Sequence, residues 1–72
     1  MKNRKTDGLP PNGSVIKIID ADGGVHICEW RECSKKKGGY LGTAKVIAGP
    51  HKGIGFHAWE QNDSEFLYYF IV

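Results

Sequence analysis

A mainly β domain, with five short strands in one strongly bent sheet or partly open barrel, is predicted by three features of the chain. Ten glycines and three prolines in 72 residues interrupt the sequence before any long helical window develops. Between these breaks lie short runs of β-branched and aromatic residues bounded by Gly, Pro, Asn and Asp. The last seven residues, Phe66-Leu67-Tyr68-Tyr69-Phe70-Ile71-Val72, are aromatic or aliphatic without a break, which predicts a central strand buried on both faces.

Taken in order, residues 1–8 form a polar stretch with Lys2, Arg4 and Lys5 and are expected as a flexible tail ahead of one domain at 9–72. Leu9-Pro10-Pro11-Asn12-Gly13 is an extended entry and turn, because proline fixes φ and keeps the preceding residue out of the helical region. Residues 14–19 carry Val15, Ile16, Ile18 and Ile19 and predict the first strand. Asp20-Ala21-Asp22-Gly23-Gly24 supplies the residues that tolerate positive φ in a hairpin turn, with residues 25–30 returning as its partner.

Residues 40–48 and 53–60 predict a second hairpin around Gly49-Pro50-His51-Lys52, with Val46, Ile47, Ile54, Phe56 and Trp59 as its large apolar members. Gln61-Asn62-Asp63-Ser64 is a turn by composition, and residues 65–72 close the chain. Such a strand count in so short a chain is most economically an SH3-like or OB-like arrangement, in which closure also protects strand edges. An alternative is α+β, with one helix near residues 27–37. Ile27, Trp30 and Ser34 recur at helical spacing, and Gly38-Gly39 can end a helix after Lys35, Lys36 and Lys37.

Charge bounds the function classes. The formal net charge is +2, and setting aside Lys2, Arg4 and Lys5 leaves seven basic against eight acidic residues. A body near neutrality binds nucleic acid only through a local patch. Lys35, Lys36 and Lys37 form the only such cluster, and its ordinary role is a solvated loop. No apolar run approaches the roughly 20 residues needed to cross a bilayer, and the polar N-terminus lacks the apolar stretch of a signal peptide. The expectation is a cytoplasmic protein with no membrane contact, whose two cysteines, Cys28 and Cys33, are thiols.

Metal and catalytic chemistry find little footing. His26, Cys28 and Cys33, with His51 or His57, offer nitrogen and sulfur ligands of the kinds zinc takes, but the spacing is not that of a zinc knuckle, and buried thiols are the simpler expectation. His57 beside Trp59 is expected as a histidine on a sheet face. No nucleophile stands next to a base at a recognisable elbow or helix start, so neither an enzyme nor a cofactor is expected.

Lys45-Val46-Ile47-Ala48, then Gly49-Pro50-His51-Lys52-Gly53 and Ile54-Gly55, resembles the KOW motif of ribosomal proteins and transcription-elongation factors. The resemblance implies a strand, a turn and a second strand in an SH3-like domain, and with them RNA or transcription-complex binding. It covers about ten residues, and Ile54 stands alone between Gly53 and Gly55 where the family usually has two residues, a deletion that alters register beyond the turn. In physical terms the turn presents His51 and Lys52 as a candidate phosphate contact, or simply as solvated tips. Tyr40, Phe56 and Trp59 stack bases if exposed, although a chain this small needs most large side chains in its core.

Two function classes follow. The favoured one is a small non-enzymatic protein-interaction module, an accessory or inhibitory protein of the kind carried by mobile elements and acting on a host protein. Eight aromatic residues and an apolar terminal strand supply its interface. The other is an RNA or transcription-complex binding module that uses His51, Lys52 and the Lys35, Lys36, Lys37 loop. Homodimerisation through the Phe66 to Val72 strand accompanies either class.

Overall fold

A computed structural model describes all 72 residues and contains one open antiparallel sheet of six strands, with no α-helix. The strands are β1 (Lys2–Asn3), β2 (Val15–Ile19), β3 (Val25–Glu32), β4 (Tyr40–Val46), β5 (Gly55–Trp59) and β6 (Tyr68–Ile71), in the spatial order β1-β6-β2-β3-β4-β5. The mainly β expectation holds. The segment with a competing helical reading is extended through Glu32, and only a single 3₁₀ turn, Lys37–Gly39, follows it.

Alternation decides which side chains form the core. Ile16 pairs with Cys28 and Cys28 with Val46, so one cross-strand row places three buried apolar side chains together. The next row pairs Trp30 with Ala44 and Ala44 with Phe56. Trp30 is fully buried beside small residues on β4. A Cβ at Gly42 would lie 2.4 Å from the Arg31 carbonyl and 2.7 Å from the Trp30 ring, so glycine there is what admits the indole. Phe66 closes the other side, edge-on to Trp30 at 5.4 Å and to Tyr69 at 5.9 Å between ring centroids.

The β2–β3 hairpin is organised by Asp20. Its Oδ1 accepts the amides of Asp22 (3.0 Å) and Gly24 (2.7 Å), while Oδ2 lies 2.7 Å from His26 Nε2. Gly23 takes φ +84° within this turn, a conformation glycine adopts without a steric cost. In the β4–β5 hairpin the register shifts between Tyr40 and Gly42. This bulge at Leu41 turns Tyr40 onto the outer face beside Thr43 and His57.

Two expectations are corrected. Residues 2–4, expected in a flexible tail, belong to the sheet: Lys2 pairs with Tyr69, Asn3 with Tyr68, and Arg4 is only 5% exposed. The terminal strand is not buried on both faces either. Phe66 and Tyr69 are buried, but Tyr68, on the opposite face of the strand from Tyr69, is 48% exposed, and Ile71, in register with buried Ile16, is still 50% exposed at the end of β6.

Arg4 ties the two margins of the open sheet together. Its amide donates to the Leu67 carbonyl at 2.9 Å, and its guanidinium donates to the carbonyls of Phe66, Trp59 (2.7 Å) and Asn62 (3.0 Å). One side chain thus joins the N-terminal edge of the sheet to the end of β5 and to the loop entering β6. A cation surrounded by carbonyl oxygens exchanges its lost hydration for charge-assisted hydrogen bonds.

Candidate functional site

The residues singled out from the sequence fall into two groups that the fold holds apart. Lys35, Lys36 and Lys37 lie exposed in the β3–β4 loop, next to Tyr40 at the start of β4. His51 and Lys52 lie exposed in the turn beyond the other end of β4, roughly 20 Å away at the usual rise of a strand. No single basic surface combines them.

Tyr40 and Trp59 are brought together, with ring centroids 4.9 Å apart, on the outer face of the β4–β5 edge. Both are half-buried, neither enclosed in the core nor free of it. The hydroxyl of Tyr40 is hydrogen-bonded to Thr43 Oγ1, and His57 Nδ1 lies within hydrogen-bond distance of both, at 3.1 and 3.0 Å. His57 is thus the sheet-face histidine that its position beside Trp59 suggests.

The candidate zinc residues are dispersed. His26 and Cys28 point into the core from β3, Cys33 follows the end of that strand, and His57 is on the outer face of β5. His51 does approach His26, at 5.5 Å between rings, and His26 also packs on Phe56 at 5.1 Å. No group of three or more His, Cys, Asp or Glu side chains is placed to hold a metal ion. Burial pushes the Cys28 thiol up to about 11.

A concave site emerges elsewhere, where the β2–β3 turn, the beginning of β5 and the loop entering β6 converge. It is an open groove of about 640 Å³. Buried Ile18 and half-buried Phe56 and Leu67 line its inner side. Ile19, Ile54 and Tyr68 line it while remaining 48%, 51% and 48% exposed.

Four carboxylates, Asp20, Asp22, Asp63 and Glu65, complete the lining, and no basic side chain contributes to it. The hydrogen bond from His26 and the Gly24 amide hold the Asp20 carboxyl below the usual carboxylate range. Lys5, 3.2 Å from Asp63, does the same for that residue. Both therefore carry charge at neutral pH. Glu65 accepts the His57 amide at 3.2 Å, which covers an unpaired donor on the edge strand β5.

The N-terminal segment braces the loop that lines this groove without lining it itself. Arg4 fixes the Asn62 and Phe66 carbonyls on either side of Asp63 and Glu65, and Lys5 pairs with Asp63. None of these groove residues stands out in the sequence, because Asp20, Asp22 and Asp63 read as turn formers. The available signal was that two separate turns, 20–24 and 61–65, each carry two carboxylates beside large apolar residues.

Compared with known proteins, the chain matches no protein family, no curated protein and no solved structure.

Proposed function

We propose that this chain is a small non-enzymatic protein-interaction module that docks a partner in the groove between the β2–β3 turn and the loop entering β6. The observation that carries this reading is the gathering of Ile19, Ile54 and Tyr68, three large apolar side chains about half exposed, around one concavity of a chain of only 72 residues. A contiguous exposed apolar surface gains free energy when a partner covers it. Binding suits the rest of the geometry as well. The Asp20–His26 pair orders a turn, with the imidazole packed between His51 and Phe56. An accessory or inhibitory protein acting on a host protein is the form of this proposal that the sequence favours.

A photocrosslinking side chain placed at Tyr68 in the protein's native cells tests it. The expected result is a discrete adduct of higher mass that is absent when the same group replaces Glu32 at the far end of β3. Equal labelling from both positions, or from neither, contradicts groove docking.

The nucleic-acid alternative rests on the exposed Lys35, Lys36, Lys37 loop adjoining Tyr40 and Trp59. Charge-driven binding to labelled single-stranded RNA weakens steeply with salt and weakens further when the three lysines become alanine. No binding at low salt counts against it.

A further inference from the structure

We infer that the groove's occupant is an extended, lysine- or arginine-bearing segment of a protein partner, with its apolar residues against the groove and its cations on the acidic rim. This rests on the docking reading above and specifies its chemistry. The charge asymmetry is the decisive observation: the whole chain is net +2, yet this lining holds Asp20, Asp22, Asp63 and Glu65 and no basic group. Its nearest basic side chains are already engaged, His26 at 2.7 Å from Asp20 and Lys5 at 3.2 Å from Asp63. Asp22 makes no ion pair, and Glu65 bonds only a backbone amide.

The two surfaces suit one kind of ligand. Lysine and arginine carry apolar stems that lie along aliphatic and aromatic surface while their heads reach polar groups. Exposed Ile19, Ile54 and Tyr68 supply the first surface and the carboxylates the second. At about 640 Å³ the groove has the size of a site for a few side chains, not for a whole domain. An anionic or purely apolar segment leaves rim carboxylates to be desolvated without compensation.

The test is a titration of isotopically labelled protein with a short peptide alternating lysine and leucine, read as amide chemical shifts, with a serine-for-lysine counterpart beside it. Expected shifts concentrate at residues 18–22, 54–56 and 63–68, and the affinity falls with rising salt. The double variant Asp22→Asn, Glu65→Gln keeps the hydrogen-bonding oxygens and the turn made by Asp20. It is expected to bind on the order of tenfold more weakly at low ionic strength. Ile54→Ser, at an exposed site that does not hold the core, is also expected to weaken binding.

Equal binding of the serine peptide in the groove overturns the cationic assignment while leaving groove docking intact. Shifts confined to the Lys35 to Tyr40 region, or no shifts, overturn the assignment outright. Failure of the Tyr68 crosslink removes the docking reading itself.

Discussion

The Arg4 guanidinium donates to the Trp59 carbonyl at 2.7 Å, joining residues 55 positions apart at the two outer margins of the sheet. Backbone pairing leaves β1 and β5 unconnected, and this side chain spans the gap. It also holds the loop that carries Asp63 and Glu65, so the concavity of the groove depends on it.

Replacing Arg4 by alanine is therefore expected to cost about 2–4 kcal/mol, because it strands the buried Phe66 carbonyl and the part-buried carbonyls of Trp59 and Asn62. Lysine keeps the charge but lacks the planar fork, so Arg4→Lys recovers only part of the loss. Denaturant midpoints of the three proteins check this ordering. Equal midpoints for Arg4→Ala and the native chain would contradict it.

Gly42→Ala is expected to destabilise by at least about 2 kcal/mol, the cost of overpacking a filled core. The added methyl meets the Arg31 carbonyl at 2.4 Å and the Trp30 ring at 2.7 Å. Gly53→Ala is the comparison: φ is +99° but no heavy atom lies within 4 Å, so it bears backbone strain alone, about 1 kcal/mol. Thermal unfolding of both variants distinguishes a packing requirement from a purely conformational one.

Asp20 contributes to acid stability with a definite sign. Its folded carboxyl lies below the unfolded value of 3.8, chiefly through the bond from His26. Its contribution is thus present above that value and disappears as pH falls through the lower folded one. Asp20→Asn retains an oxygen for the Gly24 amide but loses the charge. The stability gap between it and the native chain, measured by urea unfolding, is expected to be open at pH 6 and to close below pH 3.8. A gap independent of pH contradicts the carboxylate's role.

The two thiols are expected to react in sequence. Cys33 is partly accessible, whereas Cys28 is fully buried with its thiol pushed up to about 11. A thiol-specific chromogenic reagent near pH 8 should label Cys33 quickly and Cys28 only on unfolding. Cys33→Ser removes the fast phase. A fast phase that survives this substitution contradicts the burial of Cys28.

Sequence pattern located β2 to β6, because each is a run of β-branched or aromatic residues between turn formers, and the Asp20 to Gly24 turn was legible for the same reason. What it missed depends on distant partners. A two-residue strand such as Lys2–Asn3 has no periodicity, and Arg4 reads as a solvent cation until residues 59–66 surround it with carbonyls. The Leu41 bulge, which turns Tyr40 outward, follows from pairing with β5 and leaves no local mark. The β6 edge was likewise hidden: its outer side is occupied by β1 as far as Tyr69, so pairing with a second copy through the terminal strand has only Phe70 to Val72 to use.

The groove was the least legible feature, since its carboxylates come from turns more than 40 residues apart, Asp20 and Asp22 against Asp63 and Glu65. The sequence offered instead the lysine cluster at residues 35–37 and the His51-Lys52 turn, which are conspicuous as text and separate in space.

Native-state exchange of the Arg4 amide tests the latch most directly. That N–H donates to the Leu67 carbonyl at 2.9 Å and is expected to exchange as slowly as the core amides of β3, opening only with global unfolding. Exchange as fast as that of an unstructured chain would show the N-terminal segment detached, and with it the support on which the groove depends.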